Sequence, residues 1–289
     1  MAVTPRTIGV VGAGSIGASV CADLVLHGFH VVLVDTVPTQ LDRAREVLTE
    51  AVRFGPMVRP GLPRLDLADA LAAVRFTTEL EDLTGCEFVV ENVSEHWETK
   101  RELYRRLDAL LPAEVGFGVN TSSIPVGRVA AETSRPDRVI GIHFMNPAYL
   151  KEAVEVMRGD ATSQECLDDV LALLSGMGKE TIVVGDFPGF VSNRISHLFF
   201  NEASRVVEDH GVEPAVVDEV FRKCFGHLMG PLETADLIGL DTVLLTLESL
   251  HDSYGDDRFL GSALLRDKVA SGRLGRKTGE GFYTYRPTP

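Results

Sequence analysis

The feature that most constrains this chain lies near its start, where a β-branched run, residues 7 to 12, ends in Gly12-Ala13-Gly14-Ser15-Ile16-Gly17 and passes into an apolar helical stretch. A second β-branched run, residues 30 to 35, ends in Asp35. GxGxxG alone is a weak signal. Set between a strand and a helix, with an acidic residue closing the next strand, it is the fingerprint of a dinucleotide fold. Gly12 allows the tight turn, Gly14 lets backbone N–H groups approach a pyrophosphate, and Gly17 allows close helix packing, with the helix N-terminus facing the anion. Asp35 can accept hydrogen bonds from the ribose hydroxyls and repels a 2'-phosphate, and no arginine occupies positions 36 to 42, so NAD is expected in preference to NADP.

The alternation continues. Further strands are expected at 74 to 78, 87 to 91, 115 to 120, 139 to 144, 153 to 157 and 181 to 185, with helices over Ser15 to His27, Gln40 to Arg53, Trp97 to Leu111 and Ser163 to Met177. The segment Phe54 to Arg64, FGPMVRPGLPR, is read as a break in regular structure. After Asp186 the strand signal ends, and helices are expected over 190 to 206, 214 to 226, 234 to 253 and 259 to 271. The fold class is thus α/β, a Rossmann-type mostly parallel sheet domain over 1–186, followed by an all-α helical domain over 187–289. The wide apolar faces of that second domain predict a homodimer made through it.

With 289 residues, 45% hydrophobic and 24% charged, the chain can fill two cores. Its 28 Lys and Arg against 42 Asp and Glu, a net charge of -14, argue against nucleic-acid and anionic-membrane partners. No apolar run is long enough for a membrane span. Four scattered cysteines without a CxxC pair suggest a reduced, cytoplasmic chain without a zinc site. His27 and His30, three apart around a glycine, are read as turn residues, and no metal is expected.

Chemistry concentrates around His143, at the end of the sixth strand, with Asn146 just beyond it and Glu155 one strand later. A histidine oriented by a carboxylate makes a general base near neutral pH. Spacing alone leaves open whether the two meet or are a core histidine and an unrelated glutamate.

Taken together, GAGSIG (12 to 17), ENVSEHWETKRELYRRLD (91 to 108), NTSSIP (120 to 125), HFMNP (143 to 147), DFPGFVSNRI (186 to 195), GPLETADLIGLD (230 to 241) and GRLGRKTGEGFY (272 to 283) resemble the L-3-hydroxyacyl-CoA dehydrogenases over essentially the whole chain. The resemblance implies that His143 removes the 3-hydroxyl proton, that Glu155 polarises His143, and that Ser122 and Asn193 hold the substrate oxygen. It further implies that Glu95, Lys100, Asn146 and Lys277 contact NAD. By themselves Lys100, Arg101, Arg105 and Arg106 read as a solvated helix face.

Two departures bear on the substrate. Where the family carries lysines suited to coenzyme A, residues 51 to 64 hold Arg53, Arg59 and Arg64 and no lysine. After HFMNP stands Tyr149, able to narrow an acyl pocket. The substrate is expected to be an acyl-CoA thioester. The alternatives are a hydroxyacyl unit on an acyl carrier protein, as in polyketide extender-unit synthesis, or a free hydroxy acid. A non-catalytic nucleotide-binding dimer is the contrasting reading.

Overall fold

The computed structural model describes residues 6–122 and 124–285. The chain divides into two compact units at Phe187 and Pro188.

In the first unit, β1 (Thr7–Val11), α1 (Ser15–Leu26), β2 (His30–Val34), α2 (Pro38–Val58), α3 (Leu67–Ala72), β3 (Val74–Thr77), β4 (Phe88–Glu91) and α4 (Trp97–Leu110) follow one another. They lead into β5 (Gly116–Val119), α5 (Val126–Ala130), β6 (Val139–His143), β7 (Ala153–Arg158), α6 (Gln164–Gly176) and β8 (Glu180–Gly185). One eight-stranded sheet has the order β3-β2-β1-β4-β5-β6-β7-β8. The order reverses at β1, whose neighbours β2 and β4 leave in opposite directions, and this opens the crevice at the strand ends where such sheets bind ligands. Every pairing is parallel except β6 with β7, which is antiparallel. The β-branched runs of the inner strands are buried, as a covered parallel sheet requires: Ile8, Val10, Val31 and Leu33 pack with Leu24, Leu48 and Leu174 of the helices, whereas the edge strand β8 keeps Ile182 and Val183 exposed.

The helix α2 departs from expectation. It runs through Gly55-Pro56 to Val58, where the three prolines of 54 to 64 predict a break. Pro56 sits close to the C-terminal end, so it disturbs the hydrogen-bonding pattern only near the last turn. Gly55 is buried, and a Cβ there would come 3.3 Å from Leu62, so the helix is held in place by the loop that folds back on it. Regular structure stops only at Arg59.

The second unit is helical: α7 (Phe190–His210), α8 (Pro214–Phe225), α9 (Pro231–Ile238), α10 (Leu240–Tyr254) and α11 (Ala263–Ala270). The single helix expected over 234 to 253 is two, divided at Gly239, whose φ of 105° lies where only glycine is at ease. Phe200, Ala235, Leu240, Val243, Leu247, Leu250, Phe259 and Leu265 make its core.

Candidate active site

Each glycine of the nucleotide turn meets a separate demand. Gly12 has φ 93°, and a Cβ on it would lie 2.7 Å from the Asn92 carbonyl. A Cβ on Gly17 would lie 1.8 Å from the Gly12 carbonyl oxygen, so any side chain there would push α1 off the turn. A Cβ on Gly14 would meet nothing within 4 Å, so that side of the turn is open to a ligand. Gly14 is also the N-cap of α1 and brings no capping side chain, so the helix end is free to face an anion. Asp35 ties the turn to the second strand, accepting hydrogen bonds from the N–H of Ala13 at 2.7 Å and of Val37 at 2.9 Å.

Gly12, Gly14 and Asp35 line a cavity of about 820 Å³ with Val37, Asn92 and Val93. This open turn, bare helix end and acidic strand end fit a dinucleotide. Arg101, Arg105 and Arg106 of α4 also line it, and Arg105 and Arg106 are exposed, as a solvated helix face requires. Arg101 pairs with Glu98 at 2.7 Å and Arg105 with Glu132 at 2.6 Å, so part of their charge is neutralised locally.

The second cluster sits at the ends of β5, β6 and β7. Antiparallel pairing places His143 directly opposite Glu155 in register. Nδ1 of the imidazole lies 3.1 Å from Glu155 Oε2, with both residues buried. A carboxylate beside Nδ1 makes that nitrogen the donor and leaves Nε2 as an acceptor. Ser122 Oγ stands 3.3 Å from Nε2, the distance at which its hydroxyl donates to it. The histidine is therefore flanked by an orienting carboxylate on one side and a hydroxyl on the other.

Glu95 holds the loop that carries Ser122. Its Oε1 accepts hydrogen bonds from the Thr121 hydroxyl, the Ser122 N–H at 3.0 Å and the Ile124 N–H at 3.3 Å. Asn120 braces the loop from the other side, accepting from the Phe144 N–H at 3.3 Å and donating to the Asn92 side chain at 2.8 Å.

Lys100 is fully buried, against the expectation of a surface helix face. Three residues around it are charged or hydrogen-bonding and inward-facing: Glu91, Tyr104 and Asn120. All three stand within the motifs ENVSEHWETKRELYRRLD and NTSSIP, which assign them no role. Burial pushes the Glu91 carboxyl above its ordinary value while Lys100 draws it down, and burial raises the Tyr104 hydroxyl.

Asn146 is exposed just beyond β6. In the helical unit, Asn193 lies in the first turns of α7, and its carbonyl accepts from His197 Nδ1 at 3.0 Å. Lys277 pairs with both oxygens of Asp241, at 2.5 and 2.7 Å. Arg59, one of the three arginines that could meet a phosphate, is already engaged: it donates to the carbonyls of Tyr149 at 3.1 Å and Lys151 at 3.4 Å. Arg53 and Arg64 remain exposed. Among the described residues, no group of three His, Cys, Asp or Glu side chains could hold a metal ion, and no helix is long and apolar enough to cross a membrane.

The NAD binding domain of 3-hydroxyacyl-CoA dehydrogenase matches residues 7–187, and the C-terminal domain of 3-hydroxyacyl-CoA dehydrogenase matches 189–285. The chain is 41% identical over 281 residues to a probable 3-hydroxybutyryl-CoA dehydrogenase of Deinococcus radiodurans, covering 96% of this chain and 99% of that one. It is 37% identical to the 3-hydroxybutyryl-CoA dehydrogenase of Bradyrhizobium diazoefficiens, covering 99% and 97%. The crystal structure of the (S)-3-hydroxybutyryl-CoA dehydrogenase of Ralstonia eutropha matches with a TM-score of 0.91 at 36% identity, covering 98% of this chain and all of that one. An open glycine turn, an acidic strand end and a flanked histidine thus stand in a chain matched along almost its whole length, and the protein belongs to the 3-hydroxyacyl-CoA dehydrogenase family of NAD-dependent oxidoreductases.

Proposed function

We propose that the protein interconverts a short-chain 3-hydroxyacyl-CoA and the matching 3-oxoacyl-CoA, with His143 as the general base. The observation that carries this reading is the Ser122, His143 and Glu155 arrangement, with contacts of 3.3 and 3.1 Å. His143 Nε2 takes the proton of the 3-hydroxyl. Glu155, at Nδ1, fixes the tautomer and stabilises the imidazolium that forms. Ser122 donates to the oxygen as it becomes a carbonyl, and Asn193 is assigned the same task by the family resemblance. NAD, when bound, supplies the acceptor for the hydride that leaves C3. Gly12, Gly14 and Gly17 would shape its seat, Asp35 would hold its ribose, and Glu95, Lys100, Asn146 and Lys277 are the further cofactor contacts that the family resemblance assigns.

The names of the relatives favour coenzyme A as the carrier, and the exposed Arg53 and Arg64 are the side chains of the 51 to 64 segment best placed to meet its phosphates. Exposed Ile195, Val220, Phe225 and Leu245 on the helical unit support a homodimer built through it. Four free cysteines, three of them buried, fit a reducing cytoplasm.

The test is NADH absorbance with acetoacetyl-CoA, then with the same acyl group on a carrier protein. Wild type is expected to oxidise NADH with the CoA thioester, and His143→Ala to lose about a thousandfold in turnover. Wild-type inactivity on every thioester would overturn the reading; a clear preference for the carrier-bound substrate would move it to the polyketide alternative. Equal rates for wild type and His143→Ala would remove the role of the histidine.

A further inference from the structure

Asp186 takes no part in the proton relay, yet it bonds to the segment that follows Ser122. It is half-buried and stands directly after β8, where the chain is about to leave the first unit. Its Oδ1 accepts from the Val126 N–H at 2.8 Å and its Oδ2 from the Gly127 N–H at 2.7 Å. These residues open α5, and their N–H groups are among those that a helix leaves unsatisfied at its start. Pro125, at the N-cap, brings no capping side chain. A serine, threonine, asparagine or aspartate there would supply the cap locally. Instead the acceptor comes from 60 and 59 residues further along the chain. A local cap would satisfy the helix and leave it free of β8, whereas Asp186 satisfies the same donors and also fixes α5 to that strand.

The consequence reaches the catalytic histidine. The loop over 120 to 125 runs between β5 and α5, and Glu95 holds its earlier part through Thr121, Ser122 and Ile124. Asp186 holds the end at which the loop enters α5. Val126 is fully buried against β6: a Cβ on Gly141, two residues before His143, would come 2.7 Å from Val126 Cγ2. The strand that Asp186 follows is itself registered to the site, with Ile182 of β8 opposite Glu155 of β7 and Glu155 opposite His143 of β6. The links close into a ring. It runs from His143 to Glu155, across β7 to β8, through Asp186 to α5, back along the loop to Ser122, and from Ser122 Oγ to His143 Nε2 at 3.3 Å. Strand pairing secures the first half, and in the second half the Asp186 carboxylate joins β8 to α5.

We propose that Asp186 is a positioning residue: by capping α5 from the end of β8 it sets the distance between Ser122 and His143, and it acts on the reaction through Ser122. This rests on the dehydrogenase reading above, and it concerns a residue of DFPGFVSNRI to which the family resemblance assigns no role.

The test is a double-mutant cycle, with Asp186→Ala and Asp186→Asn each made in wild type and in Ser122→Ala. Turnover is measured with acetoacetyl-CoA at saturating NADH, NADH affinity by fluorescence titration, and the folded fraction by thermal melting. Asp186→Ala is expected to lower kcat per folded molecule about 5- to 20-fold, as for a small misplacement of a catalytic group, with the NADH Kd within about twofold of wild type. Asp186→Asn keeps one acceptor and is expected to lose only about twofold to threefold. In the Ser122→Ala background the loss from Asp186→Ala should shrink to less than about twofold, because residues that act as a unit are not additive. A role in stability alone would move the melting temperature and leave kcat per folded molecule unchanged, which overturns the proposal. The same loss with and without the Ser122 hydroxyl overturns it too, as does a Kd raised about tenfold with kcat kept at saturation. If Asp186→Ala does not fold, Asp186→Asn is read in the same cycle, and an unchanged kcat or full additivity there overturns the proposal. Wild type inactive on every thioester overturns the dehydrogenase reading and this inference with it, whereas active wild type with unaffected variants overturns the inference alone.

Discussion

Both units bury carboxylates, and they use them differently. In the sheet unit, Glu155 faces the His143 imidazole and Glu91 faces the Lys100 ammonium. In the helical unit, Asp218 and Asp236 are fully buried and face mainly neutral donors. Asp236 accepts from the N–H groups of Phe282 at 2.9 Å and Tyr283 at 3.0 Å and from the Tyr285 hydroxyl at 3.0 Å. Asp218 accepts from the N–H groups of Leu232 and Glu233 and from the Tyr283 hydroxyl at 2.7 Å. A carboxylate ringed by fixed backbone donors can only anchor chain, and here it fastens the segment from Gly281 to Tyr285 onto α9. A carboxylate facing a titratable or cationic partner can change the state of that partner or aim it. Burial is common to both, so the nature of the partner separates chemistry from stapling.

The sharpest way to break this comparison is Glu155→Gln. The amide keeps the shape but cannot stabilise the imidazolium, and its NH2 group can meet Nδ1 and favour the wrong tautomer. The expected outcome is a loss of about a hundredfold in kcat with a melting temperature close to wild type, read from steady-state rates and calorimetry. A large drop in melting temperature with normal turnover per folded molecule would place Glu155 with the staples.

Asp236→Asn is the converse. Asparagine retains one acceptor oxygen, so one of the three donors from the 281 to 285 segment is left without a partner, at a cost of about 1–2 kcal/mol. Denaturant unfolding should show that loss while turnover per folded molecule stays at the wild-type level. Lost turnover with unchanged stability would show that the partner rule fails in this unit.

How much of this could be read from the residues alone depends on the range over which each signal acts. The eight strands are legible because β-branched runs such as HVVLV and FVVE are local and sit in a covered sheet. The nucleotide turn is legible because three glycines and an aspartate answer to geometry within two adjacent strands. The meeting of His143 with Glu155 is not, because it depends on β7 running antiparallel to β6 and on the register that sets the two residues opposite, and the residue pattern of the strands encodes neither. The burial of Lys100 is masked by its sequence neighbours. Arg101, Arg105 and Arg106 surround it in sequence and line the accessible side of α4, while Lys100 and Tyr104, four apart, share the face that turns inward. The division at Gly239 was hidden because apolar residues continue at helical spacing on both sides, and only a backbone angle marks the join. The three prolines of 54 to 64 predict a break after Arg53, whereas the packing of Gly55 against Leu62 accompanies a helix that runs on to Val58.

The smallest effect expected is a pH dependence, and its sign follows from the staple itself. Burial holds the Asp236 carboxyl above its ordinary value of 3.8, with the N–H groups of Phe282 and Tyr283 and the Tyr285 hydroxyl pulling the other way. A carboxyl whose folded pKa is raised binds its proton more tightly in the folded chain than in the unfolded one. Its contribution to stability therefore grows as pH falls from neutrality towards 3.8, is complete below that value, and is lost as pH rises through the raised one. Asparagine has no such proton. The stability difference between wild type and Asp236→Asn should accordingly widen as the pH of an unfolding series is lowered from 7 to about 4, whereas other titrating groups, common to both proteins, cancel in the difference. A gap that narrows over that range would mean that the donors outweigh burial and keep Asp236 ionised. The staple would then draw its strength from charge, as the pairs in the sheet unit do.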